Sequence, residues 1–206
     1  MIRLLLAEDQ AMIREALATL LGLEPDLEVV AEAGRGDEVL AALEAARQSG
    51  TPVDVALLDI EMPGMDGICA AASAHATYPD LRIVILTTFG RPGFLRRAME
   101  AGASAFLVKD APAAELAGAV RRVMAGERVI DPDLAAAALA DGINPLTSRE
   151  RDVLAASEGG ATNAEIAARL FLSEGTVRNY LSACIQKTGT RNRAEALTLA
   201  RAKGWI

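Results

Sequence analysis

Four apolar runs in this 206-residue chain stop on a side chain able to do chemistry. Glu8 and Asp9 follow "IRLLLA", Asp59 follows the run from Val53 to Leu58, Thr87 closes "RIVILT", and Lys109 follows "AFLV". Taken alone, Asp59 has four readings: helix cap, metal ligand, nucleophile, or solvated end of a strand. A carboxylate can attack a phosphoryl group and carry it as an acyl phosphate, which makes Asp59 the candidate nucleophile. Three acids brought together repel one another unless a cation shares them. Glu8, Asp9 and Asp59 suit Mg²⁺, a hard ion that takes oxygen ligands and retains several waters. Such an ion also offsets charge on incoming phosphoryl oxygens. The Thr87 hydroxyl can donate to one of those oxygens, and the Lys109 ammonium can pair with another as a point charge. Each residue singly has a plainer role: turn acid, β-branched strand residue, surface lysine. Asp66 reads as an ordinary helix cap. Recurrence at successive strand ends is what points to a single site.

For these residues to meet, the runs must lie side by side. Strands are expected at Ile2–Ala7, Leu27–Ala31, Val53–Leu58, Arg82–Thr87 and Ala105–Val108, with helical patterns near 11–21, 37–48, 66–76, 92–101 and 113–125. Short apolar strands alternating with helices predict an α/β domain, a doubly wound five-stranded parallel sheet covered on both faces. Sites in such sheets lie beyond the carboxyl ends of the strands, where the strand order reverses. The acids, the hydroxyl and the amine all fall on that rim.

After residue 125 the pattern changes. Residues 126–144 carry Gly and Pro around an Ala-rich stretch, and Asp131-Pro132 reads as a cap with Pro in the first helical turn: a linker holding one short helix. From 145 to 206 the pattern is purely helical. Thr147-Ser-Arg-Glu150 and Thr162-Asn-Ala-Glu165 are capping boxes heading apolar-periodic runs. Ser173 can cap a third helix with Val177, Leu181 and Ile185 turned inward, and a fourth runs from about Arg193 to Lys203. The short turn Phe171-Leu-Ser173 between the second and third is the layout of a helix-turn-helix. Charge divides in the same way. Residues 1–144 carry 12 basic against 22 acidic side chains, net −10, while 145–206 carry 9 against 6, net +3. An acidic module joined to a basic one fits an anionic partner for the second.

Other features are plain. No run reaches the ~20 apolar residues of a membrane span, and the N-terminus meets acids by Glu8, so neither membrane insertion nor a secretory leader is expected. Cys69 and Cys184 have no C-x-x-C partner and read as small hydrophobes of a reduced, cytoplasmic protein. His75 reads as a surface residue, and Trp205 as packing on the last helices. Gly34-Arg35-Gly36 lacks the third glycine of a dinucleotide fingerprint.

"LLLAEDQ", "LLDIEMPGMDG", "ILTTF" and "AFLVKD" resemble the receiver domain of bacterial response regulators, a flavodoxin-like fold, here over residues 1–125. The resemblance implies Asp59 as phosphoacceptor, Asp9 as direct Mg²⁺ ligand, Glu8 acting nearby through water, and the Glu61 backbone carbonyl in the metal shell. Thr87 and Lys109 become the phosphoryl-sensing pair. Phe106 falls at the aromatic switch position, where many members have Tyr; Phe keeps the ring rotation and loses the hydroxyl. Drawing Thr87 toward a phosphoryl group should free space into which Phe106 turns, biasing a bistable face toward dimerisation. The stretch "ILTTFGRPGFLRRA" resembles regulators of the DesR type.

Residues 145–206 resemble the LuxR/NarL-type four-helix DNA-binding domain, through "LTSRERDVLAASEGGATNAEIAARLFLSEGTVRNYL" and "RNRAEAL". The third helix becomes the reader in the major groove, with Arg178, Asn179 and Ser182 at base-contacting positions. Thr176, Tyr180, Lys187 and the helix starts at Asn163 and Ser173 become phosphate contacts. Where relatives show Lys-Leu-Gly-Val, this chain has Lys187-Thr188-Gly189-Thr190, which should slightly weaken packing. Ala194, Leu197 and Arg201 offer a face for dimer pairing. The whole implies a phosphorylation-activated transcription regulator rather than an enzyme: a sensor histidine kinase as donor, a homodimer on phosphorylation, double-stranded promoter DNA as target. One rival is a haloacid-dehalogenase-type phosphatase, which places its second acid as Asp two residues beyond the first, on the first strand. Here that position is Glu61, on the third. A degenerate receiver is the other rival, and the full set Glu8, Asp9, Asp59, Thr87 and Lys109 argues against it.

Overall fold

The structure, a computed structural model, describes residues 1–88, 92–109, 112–140 and 144–206. Phe89, Gly90 and Arg91 of "ILTTFGRPGFLRRA", Asp110 of "AFLVKD", and residues 141–143 of the linker lie outside them. Two compact units divide the chain, the first formed by Met1–Gly90 and Leu95–Ala135, the second by Arg91–Phe94 and Ala136–Ile206.

In the first unit, strands β1 (Ile2–Ala7), β2 (Leu27–Ala33), β3 (Val55–Asp59), β4 (Arg82–Thr87), β5 (Ala105–Val108) and β6 (Val129–Ile130) form a parallel sheet in the order β2-β1-β3-β4-β5-β6. Helices α1 (Ala11–Leu21), α2 (Val39–Gln48), α3 (Gly67–Thr77), α4 (Pro92–Glu100) and α5 (Ala113–Met124) alternate with the strands. Leu4–Ala7, Val55–Leu58 and Ile83–Ile85 are fully buried, as unbroken apolar runs in a sheet covered on both faces must be. Leu4, Leu6, Val55, Leu57, Val84, Leu86 and Ala105 pack with Leu116, Val120 and Val123 of α5. Strand alternation turns Leu5, Ala56, Leu58, Ile83, Ile85 and Phe106 to the opposite face.

The sheet has six strands where five were expected. β6 lies within the segment read as linker; the Val129 N–H donates to the Ser104 carbonyl (3.1 Å), and Val129 and Ile130 register with Ala105 and Phe106. Two apolar residues between charged ones carry no period, so only their pairing reveals them. β3 begins at Val55 rather than Val53 because Asp54 acts as a staple. Its carboxylate accepts from the Arg3 N–H (2.8 Å) and pairs with the Arg3 guanidinium.

The loop from β3 to α3 is held by close approaches. Asp66 is the cap that the sequence indicates, accepting from the Cys69 N–H (2.6 Å), and Arg97 of α4 binds its other oxygen (3.1 Å). A Cβ on Gly67 would sit 1.8 Å from the Asp59 carbonyl oxygen, so only glycine lets α3 start against the backbone of the candidate nucleophile. Gly36 is similarly pressed on the Met65 carbonyl, which gives the Gly34–Gly36 segment a packing role. Gly67→Ala should therefore lower unfolding stability by about 3 kcal/mol through overpacking. Urea denaturation checks this, and an unchanged midpoint would show that the loop absorbs the methyl.

Helix α6 (Pro132–Ala140) is capped by Asp131, whose carboxylate accepts from the Leu134 N–H (3.1 Å). The second unit adds α7 (Ser148–Ala156), α8 (Asn163–Leu170), α9 (Glu174–Thr188) and α10 (Arg193–Ala202). Both capping boxes form, at Thr147/Glu150 and Thr162/Glu165, and the Ser173 hydroxyl accepts from the Thr176 N–H (3.1 Å). Val153, Leu154, Ile166, Val177, Leu181, Cys184, Ala196 and Ala200 form the core, with Trp205 packed on it. Cys184 takes the place expected for Ile185, which sits at the rim, and burial pushes the Cys184 thiol up to about 11. The polar turn Thr188-Gly189-Thr190 compensates with hydrogen bonds. The Thr188 hydroxyl donates to the Cys184 carbonyl (2.7 Å) and lies 2.9 Å from that of Thr190.

Candidate active site and nucleic-acid interface

Strand parity assembles the acidic site. Glu8 continues the Leu4, Leu6 series, Asp59 the Val55, Leu57 series, and Lys109 the Ala105, Leu107 series, so all three share one face of the sheet. β1 and β3 are adjacent where the strand order reverses, which brings their carboxyl ends together. Ligand oxygens of Glu8, Asp9 and Asp59 lie within 4.8 Å of one another, with Glu8 and Asp59 buried and Asp9 exposed. Lys109 Nζ stands 2.5 Å from Glu8 Oε2 and 2.9 Å from Asp59 Oδ1. The other Glu8 oxygen accepts from the Gln10 N–H (3.2 Å), and the Arg14 guanidinium donates to the Glu8 carbonyl (2.6 Å).

Burial dominates the electrostatics. It raises the Asp59 carboxyl above its ordinary value; the hydrogen bond and charge of Lys109 oppose that rise, and the Glu8 charge adds to it. Burial alone would lower the Lys109 ammonium, yet its hydrogen bonds to Glu8 and Asp59 hold it above the usual lysine range. Two buried carboxylates thus share one ammonium, with a third carboxylate at the mouth. This all-oxygen donor set with surplus negative charge fits a divalent cation such as Mg²⁺.

Thr87 is buried at the end of β4, and its carbonyl accepts from the Lys109 N–H (2.8 Å). It follows Ile83 and Ile85 on the face opposite the ion pairs. Ile85 registers with Phe106, so Phe106 is the diagonal neighbour of Thr87 on that face. The Phe106 ring is already wholly buried, so the inward turn expected on activation has no outward starting point in this structure. Glu61 lies exposed in the loop two residues after Asp59.

On α9, Val177, Leu181 and Cys184 are buried, which turns Arg178, Asn179 and Ser182 outward, all exposed. Thr176 is half-buried with its hydroxyl 2.8 Å from that of Ser173, and Ser173 is exposed at the helix start. Asn163 begins α8 half-buried, and Tyr180 packs on the core margin. On α10, Ala194 and Arg201 are exposed and Leu197 leans on the core. Lys187 is engaged within the unit. Its Nζ stands 2.8 Å from Glu150 Oε2, the same oxygen that accepts from the Thr147 N–H (2.7 Å). Glu150 is thus a capping residue that also ties α7 to the far end of α9. No local spacing links positions so distant, which is why sequence reading assigns it the cap alone.

The description "Response regulator receiver domain" matches residues 4–121, and "Bacterial regulatory proteins, luxR family" matches 144–200. The chain is 43% identical to the uncharacterized transcriptional regulatory protein YvfU of Bacillus subtilis, and 42% identical to the transcriptional regulatory protein DesR of the same organism. Each match covers the whole of both chains. Among solved structures, the response regulator ChrA of a heme-sensing two-component system is similar at 35% identity and a TM-score of 0.57, with 100% of this chain and 98% of that chain covered.

Proposed function

The chain belongs to the response regulators, transcription regulators of two-component systems with a receiver domain and a LuxR-type DNA-binding domain, and on that premise we propose that Asp59 is its phosphoacceptor. The supporting observation is a buried carboxylate of raised proton affinity, held 2.9 Å from a lysine where the strand order reverses. A sensor histidine kinase supplies the phosphoryl group. An Asp59 oxygen forms the new O–P bond, the N–P bond of the donor phosphohistidine breaks, and the electron pair leaves with the imidazole. Lys109 exchanges its hold on the carboxylate for a phosphoryl oxygen, and the Thr87 hydroxyl turns to donate to another. Glu8, Asp9, Asp59 and the Glu61 carbonyl would hold Mg²⁺, which supplies charge neutralisation for the transferring group. Glu8 keeps Lys109 placed throughout, through the 2.5 Å ion pair.

Movement of Thr87 acts on Phe106, its diagonal neighbour, and so on the face formed with α4. Phosphorylation then favours a homodimer that presents two copies of α9 to paired half-sites in promoter DNA. Arg178, Asn179 and Ser182 are the base readers in this account, and Ser173, Thr176, Tyr180 and Asn163 fix the backbone register. Lys187, bound to Glu150, orients α9 in place of the direct phosphate contact expected of it. Footprinting on a promoter fragment, with and without a small phosphodonor and Mg²⁺, tests the coupling. Protection of paired half-sites should appear at lower protein concentration after phosphorylation. Identical footprints would reduce the receiver to a degenerate module.

A further inference from the structure

Phe171 closes α8 in the left-handed region (φ 54°, ψ 49°), the one non-glycine residue with positive φ among the described residues. The N–H groups of Phe171 and Leu172 both donate to the Ala167 carbonyl, the closure usually given to Gly or Asn. A bulky side chain is disfavoured on such a backbone. The fold gains no packing in return, because Phe171 is 95% exposed, more than any other large apolar residue described. The turn itself is held on both sides. Leu172 packs on the core, and the Leu170 carbonyl accepts from the Arg149 guanidinium (3.1 Å). Two residues further on, Ser173 opens α9, the helix whose exposed face carries Arg178 and Asn179.

Strained backbone under an unpacked aromatic, at the rim of a binding surface, calls for an external contact. We propose that the Phe171 ring lies against the apolar deoxyribose face of the strand flanking the groove that α9 enters. The inference rests on the reading of α9 as the DNA reader and extends its surface by one residue. A protein partner is the poorer fit. The exposed neighbours Arg169, Ser173 and Glu174 are polar, and a lone ring is too small an apolar core for a protein interface. A sugar contact also predicts a signature of its own: no charge, no sequence preference, and a fixed orientation for the start of α9.

The test uses the full chain with Phe171→Asn and Phe171→Gly, binding both a mixed-sequence duplex and a promoter duplex. Relief of the left-handed strain should raise the melting temperature of the C-terminal unit by roughly 4 °C. Affinity should fall by about tenfold, the scale of one aromatic contact to a nucleic acid, and equally on both duplexes. The slope of log affinity against log salt should stay as in wild type, because no cation is lost. Wild-type affinity in both variants would overturn the proposal while leaving the DNA reading intact. So would a lowered melting temperature, which would make the ring structural. Unchanged DNA affinity with loss of transcription alone would assign Phe171 to a protein partner, and that too would overturn it. A wild-type chain that binds no duplex at all would sink the DNA reading itself.

Discussion

Asp59→Asn should take up no phosphoryl group from a small phosphodonor and Mg²⁺, while wild type gains one in intact mass. The amide matches the carboxylate in shape, but its oxygen is a poor nucleophile and no acyl phosphate forms. Loss of folding is not the expected cause. The substitution removes one of two buried negative charges that share Lys109, and Glu8 still partners the ammonium at 2.5 Å. The variant should therefore melt no lower than wild type, because burial disfavours the Asp59 charge to begin with. Equal mass gain in both proteins, or none in wild type, would remove Asp59 from the role of acceptor. The footprint of the variant should then match that of unphosphorylated wild type under every condition.

The second large effect concerns the cation rather than the nucleophile. Lys109→Ala should cost about 3–5 kcal/mol of stability in chelator, the usual result of stripping one partner from a buried charge cluster. Glu8 and Asp59 would remain at 1% and 4% exposure with no ammonium between them. Added Mg²⁺ should recover much of that loss and should help wild type less, because wild type already carries an internal cation. The pH dependence has a definite sign. Lys109 is held above its ordinary 10.5, so its contribution is present below 10.5 and is lost as pH rises through the raised value. Wild type and variant should converge in strongly alkaline solution. Urea titrations with and without Mg²⁺ measure all of this; a deficit indifferent to Mg²⁺ would separate the acidic trio from metal binding.

The chain announces most of this architecture because its strands are continuous apolar runs. Ile2–Ala7, Arg82–Thr87 and Ala105–Val108 stand where their composition places them, and the caps at Asp66, Asp131, Thr147, Thr162 and Ser173 mark helix starts by local chemistry alone. The meeting of Glu8, Asp9, Asp59 and Lys109 was legible for a related reason: strand ends in a parallel sheet share one rim. What escaped sequence reading depends on partners far along the chain. Asp54 looked like a strand residue until Arg3 claimed its carboxylate. Lys187 looked free until Glu150 held it, 37 positions away. The inward Phe106 ring and the left-handed Phe171 are conformations, and neither residue type nor spacing encodes them.

β6 also decides where this protein can be severed. A receiver cut at residue 125 would lose Val129 and Ile130 and bare the outer N–H and C=O groups of β5. An open, apolar strand margin is a template for a second chain, so such a fragment should self-associate strand to strand. A fragment carried past Ile130 keeps that margin covered at Ala105 and Phe106. The stretch between the modules thus belongs in part to the first of them, as the selvedge that keeps its sheet from fraying into its neighbours.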